Sequence, residues 1–252
     1  YVPVPPAIAH RFGAIEVNTV LALVAAMFLA FVAIQIRYYF GGHAHVLAAE
    51  GLTVADYARR GFFELSAVAA LAMVLLVTAD ACTADAPARG RAVFCALALT
   101  LIGLVFVILF SACQRMALYV DLYGLTVLRV WVSAAIVAFG ALFVCLAGAI
   151  AFNRSERFGG SALTIGVIAV VALEIVNPDA LTVRVNVNRA ISGSEFDAQY
   201  ASRLSADAYP VLAESASRLA PSDQSVLRTF LQQELAELEA ADLRSWNWSR
   251  HV

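Results

Sequence analysis

The sequence predicts an all-α integral membrane protein with about five transmembrane helices and a small helical C-terminal soluble domain. Its composition is the first reason: 62% of the residues are hydrophobic, 14% are charged and the mean hydropathy is +0.78. Soluble domains average about 45–50% apolar and about 25% charged residues. The second reason is that the apolar residues form uninterrupted runs of about 20 residues, enough to cross a membrane as a helix. These runs lack the period-2 alternation of barrel strands.

The chain divides into three predicted parts. Residues 1–15 lack the basic and apolar regions of a signal peptide, so we expect a lead or linker with further chain upstream. Residues 16–176 form the predicted five-helix transmembrane domain, and residues 177–252 form the small C-terminal domain. The five predicted spans are Glu16–Tyr39, Gly61–Thr78, Ala92–Cys113, Leu125–Phe152 and Phe158–Val176.

The C-terminal part differs in character from the spans. From Asp179 onward it holds ten of the 19 acidic residues, and its apolar residues recur at spacings of three and four. This pattern predicts two or three amphipathic helices, which Pro210 and Pro221 interrupt, with Ser222 and Asp223 as helix caps. The segment is too short to bury a large core alone. We therefore expect it to pack on the membrane domain or on a partner.

The short loops suggest an orientation in the membrane. Residues 80–91 and 153–160 form short polar turns that contain paired arginines, whereas longer segments lie on the other side. The count of basic residues on the two sides is nearly equal, and we assign the short turns to the cytoplasm. All 17 basic residues are arginine, which is typical of a GC-rich bacterium. We therefore expect a multi-pass protein of the bacterial cytoplasmic membrane with an extracytoplasmic C-terminal domain.

The chemistry of the chain argues against a cofactor, a metal or nucleic acid. No histidine falls within a predicted span, where haem or chlorophyll would need an axial ligand. A histidine pair in GGHAHV would need at least one further ligand to hold a metal, and the cysteines show no CxxC spacing. The formal charge of −2 and the absence of a basic cluster exclude nucleic acid. The histidines are His10, His43, His45 and His251.

No motif for nucleophilic or phosphoryl-transfer chemistry occurs in the chain. GxSxG, a Walker-type glycine loop and HExxH are all absent from the sequence. No suitably spaced histidine could act as a general base. The sequence therefore predicts no catalytic residue.

Three charged residues lie near the ends of predicted spans. Glu64 is near the start of the second span, Arg129 near the start of the fourth and Glu174 near the end of the fifth, all close to one face of the membrane. An ionisable group inside a bilayer is usually functional, but one near a helix end can extend to the interface. Two interpretations stay open: three interfacial side chains, or a polar cluster that joins helices or lines a cavity.

The stretch QRMALYVDLYGLT, residues 114–126, predicts an interfacial corner between the third and fourth spans. Arg115, Tyr119 and Tyr123 recur every four residues and can form one stripe on a helix. Gly124 permits a tight turn, and we expect Asp121 to face Arg129 or the YARR segment. Aromatic and arginine side chains are typical of such a surface. The candidate interface surface consists of Tyr57, Arg59, Arg115, Tyr119, Asp121, Tyr123, Trp246 and Trp248.

Six phrases support a resemblance that spans nearly the whole chain. They are FVAIQIRYYFGG, YARRGFFELSAVAAL, QRMALYVDLYGLTVLR, NPDALTVRVNVNRA, LSADAYPVL and RSWNWSR, in this order. The chain resembles the C-terminal membrane half of a family of bacterial polytopic proteins that have a domain of unknown function, the 4153/4173 group. The resemblance implies a membrane protein and no catalytic residue that could be transferred to this chain.

Three functions follow from these observations. The leading hypothesis is a non-catalytic structural or accessory subunit, whose surface on the side of the C-terminal domain binds other subunits of a membrane complex. The first alternative is a transporter with a polar cavity near Glu64, Arg129 and Glu174. The second is an interfacial enzyme that acts on lipid or envelope substrates. We expect the lipid bilayer and other membrane proteins as partners.

Overall fold

The computed structural model describes residues 13–40 and 54–239, with side chains described in residues 13–36 and 66–236. These residues form helices, short turns and connecting loops, and contain no strand. Three short 3-10 turns occur at Ser155–Arg157, Ala206–Ala208 and Ala216–Arg218. The α-helices are α1 (Ala14–Phe40), α2 (Val54–Cys82), α3 (Ala88–Tyr123), α4 (Val127–Ala151), α5 (Phe158–Val176), α6 (Pro178–Ile191), α7 (Ala198–Ala201), α8 (Tyr209–Ser215) and α9 (Pro221–Glu239).

Four helical segments of the described chain are long and apolar enough to cross a membrane. They are Ala14–Ile36, Ala88–Tyr123, Val127–Ala151 and Ser155–Val176, and they overlap four of the five predicted spans. The third helix, α3, continues to Tyr123, beyond the predicted end at Cys113. The remaining predicted span, Gly61–Thr78, lies within α2, whose described apolar part is the shorter segment Ser66–Cys82. The prediction of an all-α membrane protein is therefore confirmed.

The chain forms two compact units. Unit 1 comprises Tyr1–Tyr119 and Ser133–Ala169, and unit 2 comprises Val120–Val132 and Val170–Val252. Unit 2 thus includes the end of α3, the start of α4 and the end of α5 besides the C-terminal helices. The division at residue 177 stays a prediction based on sequence.

Large apolar side chains form the core of unit 1. Leu21, Leu76, Phe94 and Phe143 come from four different helices, α1 to α4, and each is 0% exposed. The ring of Phe143 packs edge-on against Phe106, with 6.5 Å between the centroids. By contrast, the most apolar 18-residue window of Ser155–Val176 has no buried residue. Such an outward-facing apolar helix suits a lipid environment, where burial in protein is not required.

Amphipathic helices form the core of unit 2. Val183 and Val187 from α6, Leu212 from α8 and Leu227 from α9 are each at most 1% exposed. Their spacing of four within α6 places both valines on one face, as the apolar periodicity predicts. Tyr209 of α8 and Phe230 of α9 add an edge-to-face ring contact, with 5.4 Å between the centroids.

The predicted breaks in the C-terminal part lie at helix starts. Pro210 occupies the first turn of α8 and Pro221 begins α9, positions at which the missing N–H of proline costs no helical hydrogen bond. The fifth span ends at Val176, as the NPD motif predicts. Asn177 then adopts a left-handed conformation with φ +50°, and its side-chain oxygen accepts a hydrogen bond from Ala180 N at 3.1 Å, which caps α6.

Candidate functional site

The turn between α3 and α4, residues 120–129 of unit 2, contains the predicted site residues Asp121, Tyr123 and Arg129 and is held by several polar side chains; we call it the Gly124 corner. Gly124 has φ +79°, and its N–H donates to Val120 O at 2.8 Å, which ends α3. A Cβ on Gly124 would lie 2.7 Å from Nη1 of Arg189 and 2.8 Å from Oδ1 of Asn186. The backbone conformation therefore favours glycine, and any side chain at this position would have to displace Arg189 and Asn186.

The side-chain amide of Asn186 holds the next residue of the Gly124 corner. Its Oδ1 accepts from Leu125 N at 2.8 Å, and its Nδ2 donates to Leu125 O at 2.8 Å. The first N–H groups of a helix have no partner within the helix. Val127, where α4 begins, has its N–H satisfied by the hydroxyl of Tyr200 at 3.1 Å. Side chains from the C-terminal helices thus complete the start of α4.

Two guanidinium groups hold the carbonyl side of the Gly124 corner. Nη2 of Arg189 donates to Asp121 O at 2.6 Å, and Nη1 of Arg129 donates to Gly124 O. The last carbonyl groups of a helix lack partners and form the negative end of the helix dipole, so cations are favourable there. The arginines therefore bind backbone oxygens of the turn.

A second polar arrangement joins helix ends in unit 1; we call it the Arg91 corner, formed by Asp80, Thr83, Arg91 and Asn153. Nη2 of Arg91 lies 2.7 Å from Oδ1 of Asp80 and donates to Oδ1 of Asn153 at 3.1 Å. Nη1 donates to Oγ1 of Thr83 at 3.1 Å and to Asp80 O at 3.3 Å. The guanidinium also lies 4.9 Å from the ring centroid of Phe94. A partly buried ion pair between Arg91 and Asp80 fixes this corner.

The structure places two members of the predicted polar cluster. Arg129 binds the Gly124 carbonyl, as described above. Glu174 is exposed on α5, and it makes no hydrogen bond or ion pair with any residue that the structure describes. The side chain of Glu64 lies outside the described residues. The proposed cavity between the three residues therefore stays a prediction.

The predicted interface surface is only partly described. Arg115 and Tyr119 are half-buried on α3, whereas Asp121 and Tyr123 are exposed. The guanidinium that contacts Asp121 belongs to Arg189, and it binds the backbone oxygen. The side chains of Tyr57 and Arg59 lie outside the described residues, as do Trp246, Trp248 and the four histidines.

Apart from Arg129, the residues that hold the two corners were missed by the sequence analysis. Asn186, Arg189 and Tyr200 lie in a segment that looks like an ordinary amphipathic domain, and Asp80 and Arg91 look like residues of a solvated turn. Only the glycine of QRMALYVDLYGLT signals one of the corners, because a left-handed turn favours that residue. The partners of a turn that are 60 residues away have no comparable local signal.

Within the residues that the structure describes, no group of three histidine, cysteine or carboxylate side chains could hold a metal ion. A cleft of about 370 Å³ in unit 2 is lined by Ala190, Ser194, Glu195, Phe196, Arg218, Leu219, Ala220, Ser222 and Asp223. A groove of about 630 Å³ in unit 1 is lined by Cys145, Glu156, Arg157, Gly160, Ser161, Thr164 and Ile165.

Comparison with known families identifies the chain's relatives. A family model described as Domain of unknown function (DUF4153) matches residues 3–215. The chain belongs to this family. The DUF4153 match includes both the Arg91 corner and the Gly124 corner, and it ends where α8 ends. No curated protein and no solved structure matches the chain. The resemblance inferred from the six phrases is thus confirmed at the level of the family.

Proposed function

We propose that this DUF4153 protein is a non-catalytic membrane subunit, and that the Gly124 corner presents a protein-binding surface to other subunits of a membrane complex. The strongest support is that the polar side chains at the Gly124 corner bind backbone groups of the turn. Asn186, Arg189, Arg129 and Tyr200 are residue types that could act in catalysis, yet each one donates to or accepts from a backbone group of the turn. They act as supports for the turn.

The supported turn displays apolar and aromatic side chains. Leu122, Tyr123, Leu128 and Trp131 are 53%, 50%, 62% and 49% exposed. Aromatic residues are enriched at the energetic centres of protein interfaces, and a preorganised surface binds with a smaller loss of conformational entropy. A turn whose backbone is held at Leu125, Gly124 and Asp121 satisfies the second condition. A neighbouring membrane protein is therefore the partner class we propose.

Site-specific photo-crosslinking tests this proposal. We would place benzoylphenylalanine at Tyr123, in the corner, and at Phe110, a control on α3 that is 64% exposed. The proposal predicts a discrete, stoichiometric protein adduct from position 123 in native membranes and lipid adducts alone from position 110. Asn186→Ala should weaken the adduct at 123, because the turn loses its support. Protein adducts of equal yield at both positions would contradict the proposal.

The transporter hypothesis predicts a different outcome for Arg129. In a transporter, Arg129→Leu would abolish substrate movement while the complex still assembles. In our proposal the same change removes a donor to the Gly124 carbonyl, so the protein adduct at position 123 should decrease. Crosslinking and proteoliposome transport, measured on the same variant, separate the two functions. An undiminished adduct together with lost transport would favour the transporter.

We also propose that the short turns face the cytoplasm of a bacterial cell and that the C-terminal domain faces outward. Support comes from Arg89, Arg154 and Arg157, which are exposed on the short turns, whereas Arg91 is engaged by Asp80. In a variant without native cysteines, Ser222→Cys should react with a membrane-impermeant maleimide in intact cells. Asp85→Cys should react only after the membrane is permeabilised. The reverse pattern would show the opposite orientation.

A further inference from the structure

The groove of about 630 Å³ at the start of α5 has a chemistry that neither the family nor the proposed function explains; we call it the Glu156–Arg157 groove. It lies wholly in unit 1, between α4, which contributes Cys145, and the entry of α5. Its wall has both signs of charge, Glu156 and Arg157. Within the described part of the chain, neither of these two side chains makes a hydrogen bond or an ion pair.

The groove is polar at one end and apolar at the other. Ser161 has a hydroxyl that makes no hydrogen bond with a described residue, whereas Thr164 donates to Gly160 O at 2.9 Å. Ile165 lies one turn further into α5. Because the candidate span is Ser155–Val176, the charged residues lie at its edge, at the level of lipid headgroups.

The apolar end continues along the uncovered face of α5. Ile168 lies three residues after Ile165 on the same side of the helix and is 60% exposed, and the most apolar window of this span buries no residue in protein. A ligand that fits the whole surface therefore needs a polar headgroup with both charges and a long apolar tail that follows the helix.

We propose that the Glu156–Arg157 groove binds a phospholipid with a phosphoethanolamine headgroup. The phosphate oxygens accept from the Arg157 guanidinium and the Ser161 hydroxyl, and the primary ammonium donates to the Glu156 carboxylate. The acyl chains lie along Ile165 and Ile168. Phosphatidylglycerol lacks the cation for Glu156, and the quaternary ammonium of phosphatidylcholine has no N–H to donate to it. The pair of charges thus selects among the three lipids.

Space above Gly160 offers a way to fill the groove without disturbing the protein. A Cβ at Gly160 would have no heavy atom within 4 Å, and the same holds at Gly166, one and a half turns further along α5 and outside the groove lining. Gly160→Leu should therefore occupy the groove, and Gly166→Leu is its matched control. Arg154→Gln is the control for Arg157→Gln, since Arg154 is exposed and does not line the groove.

Native mass spectrometry of the purified full chain, after delipidation and with equal amounts of the three lipids added, tests the proposal. We expect the wild-type protein to retain phosphatidylethanolamine over the other two. Arg157→Gln should lower its retention about tenfold, since a hydrogen bond to a charged group corresponds to roughly that factor. Gly160→Leu should also lower its retention, because the leucine side chain occupies the groove. Glu156→Gln should remove the preference for phosphatidylethanolamine over phosphatidylcholine. Arg154→Gln and Gly166→Leu should behave as the wild type.

Several results would overturn the proposal. The first is that the wild-type protein retains phosphatidylglycerol as well as phosphatidylethanolamine. The second is that Gly160→Leu retains as much phosphatidylethanolamine as the wild type. The third is that Arg157→Gln and Arg154→Gln lose equal amounts of bound phosphatidylethanolamine. A change of oligomeric state in Gly160→Leu with unchanged lipid retention would show that a second copy of the chain covers the groove. Glu156→Gln alters an exposed side chain, so it keeps the test decisive even if Gly160→Leu fails to fold.

Discussion

The Arg91 corner and the Gly124 corner solve the same structural problem with different chemistry. At each, a chain turn leaves helix ends whose polar groups need partners. The Arg91 corner uses a partly buried ion pair, in which Asp80 is only 6% exposed and the Arg91 side chain is 16% exposed. The Gly124 corner uses an uncharged amide, a tyrosine hydroxyl and arginine donors on backbone atoms. The first should therefore be costly to break at one partner, and the second should lose stability in smaller steps.

Among the variants that test this difference, Arg91→Leu should cause the largest loss of stability. It leaves the buried carboxylate of Asp80 without its cation, and breaking one partner of a fully buried pair costs about 3–5 kcal/mol of folding free energy. Because the Arg91 side chain is 16% exposed, we expect a loss at the lower end of this range. We expect a markedly lower unfolding temperature of the purified protein in detergent. Arg89→Leu, the same substitution at an exposed position two residues earlier, should have little effect. An equal decrease of the unfolding temperature in the two variants would contradict a stabilising role of the Arg91–Asp80 ion pair.

The double variant Asp80→Leu/Arg91→Leu tests whether the unpaired carboxylate causes the loss of stability in Arg91→Leu. Replacing both charges of a buried pair by apolar side chains is often close to neutral. We therefore expect the double variant to unfold at a higher temperature than Arg91→Leu alone. A double variant less stable than Arg91→Leu would show that the unpaired Asp80 carboxylate is not what destabilises Arg91→Leu.

Asn186→Ala should have the next largest effect, because it removes both partners of Leu125 at once. A buried backbone group left without a partner costs about 1–3 kcal/mol. Thermal unfolding is the measurement, and Asn188→Ala is the control: the same substitution on the same helix at an exposed position. Asn186→Asp should be intermediate, since a carboxylate still accepts from Leu125 N but cannot donate to Leu125 O. Equal unfolding temperatures for Asn186→Ala and Asn188→Ala would contradict this role.

Gly124→Ala tests the backbone of the second corner. The left-handed conformation costs a residue with a Cβ about 1–2 kcal/mol, and the new methyl group must also displace Arg189 and Asn186. Gly103→Ala in α3 should be neutral or stabilising, because its Cβ meets no atom within 4 Å and alanine favours a helix. Opposite signs for the two glycine variants in thermal unfolding are the expected result. A loss of the same size in both would show that the left-handed turn is not decisive.

Tyr200→Phe should have the smallest effect of the series. It removes one neutral hydrogen bond, to Val127 N, worth about 0.5–1.5 kcal/mol, and keeps the ring. Combining it with Asn186→Ala gives a double-mutant cycle for the Gly124 corner. A loss for the pair that differs from the sum of the single losses would indicate cooperation between the two supports. A single-variant loss as large as that of Arg91→Leu would erase the contrast between the corners.

Local features of the sequence were the ones that could be predicted. Long apolar runs place the spans, Gly124 places a left-handed turn, and Asn177 with Pro178 ends α5 and begins α6. Each of these depends on the intrinsic preference of a few neighbouring residues. The predicted span in α2 is not among the four spanning segments, because only Ser66–Cys82 of its apolar part lies among the residues with described side chains.

The sequence by itself determined that this DUF4153 chain is a helical membrane protein, since hydrophobic runs of this length leave few other solutions. It also determined where the chain turns. Only the tertiary structure decided which distant side chains complete those turns: Arg91 on Asp80 and Asn153, and Asn186 on Leu125. A hydrogen bond of this kind requires the donor and acceptor atoms to lie about 3 Å apart, and the packing of the helices sets that distance. Only the tertiary structure, likewise, brings Glu156 and Arg157 into one groove with Cys145.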